Sequence, residues 1–240
     1  MVQNLDDYLV GIVLGIRFRA NFSIEDKLGQ ILDTILYSKK SYFSPEVFST
    51  VRGEVGKKII FNQETQDSLT IDNSNFILEI NFNEDKKRGF KKSDLQGILQ
   101  KFDEQIIKEV MKSFKICEIM RIGYIKRYLF PIHQLAESFV NKTVGKNLDG
   151  VNDINLRFSK KLPVVEAVIK KEVSDYDNVI FSIIKSADRD EIFMAVDYQS
   201  YFDPFLQSID AIQFDNFINQ ADIFNKNKYL TWLNENYIED

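Results

Sequence analysis

The sequence is poor in the residues that carry most metal chemistry. Its 240 residues include one histidine, His133, and one cysteine, Cys117. These cannot supply the nitrogen and sulfur ligands of a structural zinc site or the two-histidine set of a catalytic one. A site made only of carboxylates could use Asp197 and Asp203, but both flank an aromatic segment, DYQSYFDP, that equally suits a turn. We therefore expect no metal site and no cofactor.

Catalytic motifs are equally scarce. The chain has no G-x-S-x-G nucleophile elbow, and His133 follows Pro131 at a predicted helix start, which favours a first-turn or solvent-facing residue over a general base. Gly11 and Gly15 lack the spacing and the following helix of a phosphate-binding loop, and they are more typical of a strand that bends or is closely approached. The sequence predicts no catalytic residue and favours a protein that is not an enzyme.

The chain also lacks a basic excess and a long apolar run. It has 31 Lys and Arg against 36 Asp and Glu, whereas a dedicated nucleic-acid binder usually carries more basic than acidic residues. The apolar run at 8–16 follows two aspartates and leads into Arg17 and Arg19, so it predicts neither a signal peptide nor a membrane span. The lone cysteine excludes an intramolecular disulfide and indicates a reducing compartment. We expect a cytoplasmic protein with no membrane partner.

What is present is a regular succession of strand and helix patterns. Residues 8–19 alternate as a strand with one apolar face, and a helical spacing follows from 23 to 36. Two or three short strands are predicted, one within 46–61, one at 75–82 and a weaker one near 67–71, and then a long amphipathic helix at 93–115. Within 46–61 one parity carries Val47, Val51, Val55, Ile59 and Phe61, and we expect this parity to face the helices.

The second half repeats this order of elements. A strand is predicted at 116–129, a helix at 132–146 and a long final helix beginning near Ala211. Four further strands are predicted near 152–161, 163–173, 179–185 and 191–199. No Pro/Gly/Ser-rich linker separates the halves. We therefore predict one α+β domain, 1–240, with pseudo-repeats at 1–115 and 116–240 and an antiparallel sheet that carries its helices on one face.

Two resemblances accompany this pattern. Strand–helix–four strands–helix, performed twice, is similar to the saddle of the TATA-box-binding protein, although none of that protein's residue motifs occurs. The run MRIGYIKRY at 120–128 resembles the R-I-G-x-R-Y-type strand of a sporadically distributed bacterial family of uncharacterised function. VLGIRF resembles that family's opening strand, MAVDYQ its late strand, and FDNFINQADIF its long C-terminal helix. The second resemblance implies no known activity, and its patchy distribution is similar to that of defence-associated and mobile-element genes.

Strand alternation also predicts which side chains lie on the sheet face that the helices leave uncovered. If the apolar parity faces the helices, the opposite parity carries basic residues, of which Lys58 is one. Acidic residues of the same parity, Glu79 and Asp197 among them, nearly balance these. We predict a partner-binding surface on this face formed by Arg17, Arg19, Arg121, Arg127, Arg157 and Lys161.

Three functions are compatible with this pattern. A mixed-charge face suits a protein partner, so the favoured hypothesis is a non-catalytic binding or assembly protein in a bacterial cytoplasm, in a defence or mobile-element context. The second is a nucleic-acid-binding protein that uses the same saddle. The third is a small-ligand-binding or hydrolytic protein with a pocket between the sheet and a long helix. An ordinary solvated face with cross-strand ion pairs is the alternative to the first of these. The oligomeric state is left open.

Overall fold

A computed structural model describes residues 3–38, 42–48, 50–53, 56–82, 92–131, 154–162, 175–185 and 191–237. The predicted helix at 132–146, with His133, and the predicted strand at 163–173 lie outside the described residues. The remaining predicted elements fall within the described part of the chain, except for 49, 54–55 and 152–153.

Within the described ranges, nine strands build the sheet. Their bounds are β1 Leu9–Phe18, β2 Thr50–Arg52, β3 Lys57–Phe61, β4 Ser68–Asp72, β5 Asn75–Asn81, β6 Ile119–Pro131, β7 Ile154–Leu162, β8 Tyr176–Lys185 and β9 Glu191–Leu206. They form one antiparallel sheet in the order β2-β3-β4-β5-β1-β6-β9-β8-β7. The strands predicted at 8–19 and 116–129 are therefore neighbours in the middle of the sheet, with Gly15 opposite Gly123.

Four α-helices accompany the described strands. They are α1 Ser23–Leu36, α2 Lys92–Phe102, α3 Phe214–Phe224 and α4 Leu230–Tyr237. The stretch Asp103–Met111 continues α2 as a π-helix, and Asn225–Tyr229 joins α3 to α4 in the same way. The long helices predicted at 93–115 and from about 211 are thus present. Among the described residues, no helix is long and apolar enough to cross a membrane.

One parity of the central strands is buried against these helices. Ile12, Leu14 and Ile16 of β1 are at most 1% exposed, and they share a core cluster with Phe102 of α2 and Phe217 of α3. The buried residues of α1, among them Ile31, join the same cluster. The described helices therefore lie on one face of the sheet, which we call the covered face. We call the opposite face the open face.

The predicted parity of residues 46–61 is wrong beyond the first strand. Ile60 is fully buried, and its partner across β4 is Leu69, so Ile60 lies on the covered face. Ile59 and Phe61 consequently lie on the open face, and Lys58 lies on the covered side. The segment is two strands, not one, and a turn with Gly56 at φ 75° reverses the chain between them. Since alternation does not run through a turn, a single parity could not describe both strands.

A second correction concerns residues 197–204. The sequence allowed a turn here, whereas β9 continues to Leu206. Tyr198 pairs with Tyr124 of β6, and Tyr201 pairs with both Arg121 of β6 and Tyr176 of β8. Because neighbouring strands supply ladder partners on both sides, the segment stays extended despite its polar composition.

Candidate functional site

The six predicted surface residues lie on or beside the open face. Arg17 is opposite Arg121, Arg127 is opposite Ala195, and Lys161 is opposite Asn178. Arg157 lies opposite Ser182 of β8, and Ser182 lies opposite Ala195 of β9. Arg157 and Arg127 are therefore in the same row of the open face. Arg19 follows the last residue of β1 and is exposed. Whether these residues bind a partner stays a prediction.

Two of the six are engaged in ion pairs within the protein. Arg127 donates a hydrogen bond from Nη1 to Oε1 of Glu79, and each of these side chains is about one third exposed. Arg19 Nη1 lies 3.2 Å from Oε1 of Glu118. These pairs have the geometry of ordinary cross-strand and strand-end ion pairs, which contribute up to about 1 kcal/mol each. The structure therefore gives these two arginines an internal role that needs no partner.

Arg17, Arg121 and Lys161 instead border a pair of stacked tyrosines. The rings of Tyr176 and Tyr201 are parallel, with centroids 4.8 Å apart. Lys161 Nζ lies 4.0 Å from the centroid of Tyr176, and Arg121 Nη1 donates a 3.2 Å hydrogen bond to the Tyr201 hydroxyl. Tyr201 was missed at the sequence level because its segment was assigned to a turn.

Asp197 lies two rows from Tyr201 on the open face and is largely removed from water. Desolvation raises the pKa of its carboxyl, and the nearby Arg121, a hydrogen bond from Gln199 and the charge of Arg157 act in the opposite direction. Gln199 in turn accepts a 2.7 Å hydrogen bond from Tyr201. A polar chain thus runs from Arg121 through Tyr201 and Gln199 to Asp197.

A large cavity lies on the covered face. It has a volume of about 660 Å³ and lies between α2, α3 and the strand β6. Volumes of several hundred Å³ are typical of small-molecule sites. Its apolar walls are formed by Leu9, Phe82, Leu95, Leu99 and Ile218. Its polar lining residues are Asp6, Asp7, Gln96, Gln100, Lys126, Asp215, Asn219 and Asp222.

Lys126 forms the floor of this cavity. It is 3% exposed, although its neighbours on the same face of β6, Tyr124 and Tyr128, are aromatic core residues. Its Nζ lies 2.6 Å from Oδ1 of Asp222 in α3 and 3.9 Å from Oδ1 of Asp6. This lysine is not among the site residues predicted from the sequence. Its parity was a usable signal, because in an alternating strand Lys126 falls among Ile122, Tyr124 and Tyr128.

Two tyrosine hydroxyls lie beside this ion pair. The hydroxyls of Tyr124 and Tyr128 are buried and have no hydrogen-bond partner among the described residues. Burial raises the pKa of both phenols, and the negative charges of Asp222 and Asp6 act in the same direction. Since a buried hydroxyl without a partner costs free energy, the two phenols lower the stability of the fold at this place.

Metal chemistry has no evident site in the described ranges. No group of three or more His, Cys, Asp or Glu side chains there could hold an ion. The chemistry of the cavity is instead that of one ammonium, several carboxylates and neutral amides beside an apolar wall.

The comparisons with known proteins add no family. No protein-family model matches the chain, and no curated protein matches it significantly. The resemblance of MRIGYIKRY to an uncharacterised bacterial family therefore stays a prediction, and function has to be argued from the two faces of the sheet.

Proposed function

We propose that this protein binds a small organic molecule in the cavity above Lys126, the third of the functions compatible with the sequence. The observation that carries the proposal is the buried Lys126–Asp222 ion pair at the floor of a cavity of about 660 Å³. A large apolar pocket with a few convergent polar groups is the usual form of a ligand site.

The ion pair is difficult to explain by stability alone. Desolvating two charges offsets much of their attraction, and apolar replacements of a buried pair are often as stable or more so. The rest of the covered face shows that this chain builds an apolar core readily, since Ile122 and Phe130 of the same strand are at most 1% exposed. A charged floor at this place supports a role in recognition.

The wall and the floor of the cavity suit different parts of a ligand. Asp215 and Asn219 of α3 are exposed and line its mouth, while Leu95 and Leu99 of α2 are buried in its wall. An apolar body would contact the leucines, and a polar group would reach Lys126 and Asp222. The ligand we propose is therefore amphipathic.

Blocking the mouth tests the proposal without touching the core. Asn219→Trp places an indole at the opening, and Asn216→Trp is the matched control, because Asn216 is an exposed asparagine of the same helix that does not line the cavity. The probe is Nile red, a neutral dye whose emission reports an apolar environment. Asn219→Trp should weaken dye binding about tenfold or more, about 1.4 kcal/mol, with Asn216→Trp within about twofold of wild type.

Equal affinities of the two variants, or no dye binding by the wild type, would contradict the proposal. Native mass spectrometry of the protein purified from its own host then identifies the natural ligand. A bound small molecule present in the Asn216→Trp protein and absent from the Asn219→Trp protein is the expected result.

A protein partner on the open face is the second candidate. It is supported by half-buried apolar side chains, Ile77, Ile125 and Ile180, that lie between the arginine-bearing rows. The sharper variant is Arg17→Glu, since reversal of Arg127 also breaks its pair with Glu79. A nucleic-acid partner would instead show affinity that falls steeply with salt.

We also propose that the chain is a duplicated saddle like that of the TATA-box-binding protein. In support, β1 and β6 are central neighbours, and each is flanked outward by the last strand of its own half, β5 and β9. Duplication requires a counterpart of α1 after β6. Slow hydrogen exchange with helical chemical shifts at 132–146 is expected, and an extended conformation there would contradict it.

A further inference from the structure

The open face contains an arrangement that the cavity proposal does not use. Arg17 and Arg121 are direct neighbours across the β1–β6 pair at the centre of the sheet. Like charges placed directly opposite each other on adjacent strands are destabilising. We infer that these two residues, which we call the arginine pair, form a binding site for the oxyanion group of a small organic anion.

The two guanidinium groups differ in how far they are already engaged. Arg121 is half-buried, donates to the Tyr201 hydroxyl and lies 5.6 Å from the centroid of that ring. Arg17 is exposed and has no hydrogen bond or ion pair within the described part of the chain. One guanidinium is thus held in place by an aromatic stack, and the other is available. A preorganised arginine beside an available one matches the requirements of oxyanion binding.

The surface around the arginine pair is concave on both sides. A cavity of about 360 Å³ is lined by both arginines together with Met120, Tyr176 and Phe205. A smaller one, of about 100 Å³, is lined by both arginines, by Gly15 and Gly123, and by the carboxylate of Asp197. These glycines leave the centre of the open face without side chains. Since both arginines line both cavities, an anion between them has room on either side.

The larger cavity indicates what else the ligand carries. Met120, Phe205 and the tyrosine stack offer apolar and aromatic surface next to the guanidiniums. An aromatic or aliphatic body attached to the oxyanion would bury that surface. Asp203 also lines this cavity and disfavours a ligand with several negative charges. The expected ligand is therefore an organic phosphate or carboxylate that carries one or two negative charges on an apolar body.

Neutralising each arginine separately tests the inference. The variants are Arg17→Gln and Arg121→Gln, and the matched control is Arg157→Gln, which removes the same charge from the same face on β7. The probes are phenyl phosphate, phenylacetate and inorganic phosphate, titrated calorimetrically at constant ionic strength. Wild type should bind phenyl phosphate or phenylacetate more tightly than inorganic phosphate. Arg17→Gln and Arg121→Gln should each weaken that binding about tenfold or more, and Arg157→Gln less than about twofold.

Thermal unfolding separates binding from a structural role. Without ligand, Arg17→Gln should keep or raise Tm, because it removes one of two opposed positive charges. The rise in Tm that phenyl phosphate or phenylacetate causes in wild type should disappear in the same variant. Preference for phenyl phosphate identifies phosphate as the natural oxyanion, and preference for phenylacetate identifies carboxylate. Equal weakening in all three variants, or no wild-type binding of either aromatic probe at about 10 mM, overturns the inference. Neither result affects the cavity on the covered face.

Discussion

The ion pairs on the two faces of the sheet differ in their exposure to water. On the open face Arg127 and Glu79 form an ion pair in which each side chain is about one third exposed. On the covered face Lys126 is adjacent in sequence to Arg127 and is 3% exposed, yet it also pairs with a carboxylate. Two consecutive basic residues thus lie in different dielectric environments. The same type of contact is a minor surface interaction on one face and a costly buried one on the other.

This difference indicates which ion pairs point to a functional site. A surface ion pair follows from composition, since a chain with 31 basic and 36 acidic residues forms such pairs readily. A buried pair needs a specific reason, because its desolvation is not recovered by packing. The cavity beside Lys126 supplies that reason.

The largest expected effect is in the aromatic core on the covered face. Phe102 and Phe217 are fully buried, so Phe102→Ala or Phe217→Ala should lower the free energy of unfolding by about 3–5 kcal/mol. Phe22→Ala is the control, since Phe22 is 69% exposed and its loss should cost under about 0.5 kcal/mol. Urea denaturation measures all three. A loss below about 1 kcal/mol at Phe102 would place the α2 stripe on a surface.

The next effect tests the buried charge. Lys126→Met leaves Asp222 without its nearest cation and should cost about 3 kcal/mol, the lower end of the usual range, because Asp222 is 28% exposed. The double variant Lys126→Met/Asp222→Leu should recover most of this loss, since it removes the uncompensated carboxylate. Chemical denaturation of the two variants provides the comparison. If the double variant is no more stable than the single one, the pair is not the source of the cost.

A smaller effect is expected for the open-face pair. Arg127→Glu and Glu79→Arg should each lower stability by about 0.5–1 kcal/mol, because each places like charges side by side in a partly solvated position. The exchanged double variant restores opposite charges and should lie within about 0.5 kcal/mol of wild type. Additive losses in the double variant would show that the two side chains do not interact.

The smallest effect is a pH dependence at Asp197. Desolvation raises the pKa of this carboxyl above its ordinary value of 3.8, so the folded protein binds the proton more tightly than the unfolded chain. Ionised Asp197 therefore costs stability, and this cost disappears as pH falls from above the folded pKa to below 3.8. The stability of Asp197→Asn relative to wild type should thus be higher at about pH 7 than at about pH 3.5, by under about 1 kcal/mol. An offset that is independent of pH would contradict the assignment.

Much of the fold could be predicted because it rests on local alternation. Phe76, Leu78 and Ile80 follow a period of two in the sequence, and all three are fully buried on the covered face of β5. The period breaks where a turn intervenes, as at Gly56, and there the predicted faces of Ile59 and Phe61 were wrong. The polar segment around Tyr201 was assigned to a turn because its ladder partners come from distant parts of the chain.

The candidate sites could likewise be predicted only in part from the sequence. The basic parity of the open face was visible in the sequence, but the opposition of Arg17 and Arg121 depends on the register of β1 against β6. No spacing links Lys126 to Asp222, which belongs to a helix far along the chain.

The sequence by itself determined the strands, the long helices and the parity of most side chains, because each depends on neighbours within a few residues. Only the tertiary structure decided strand order, register and the space between α2, α3 and β6, because these arise when distant segments pack together. The cavity, the buried ion pair and the arginine pair all belong to this second group.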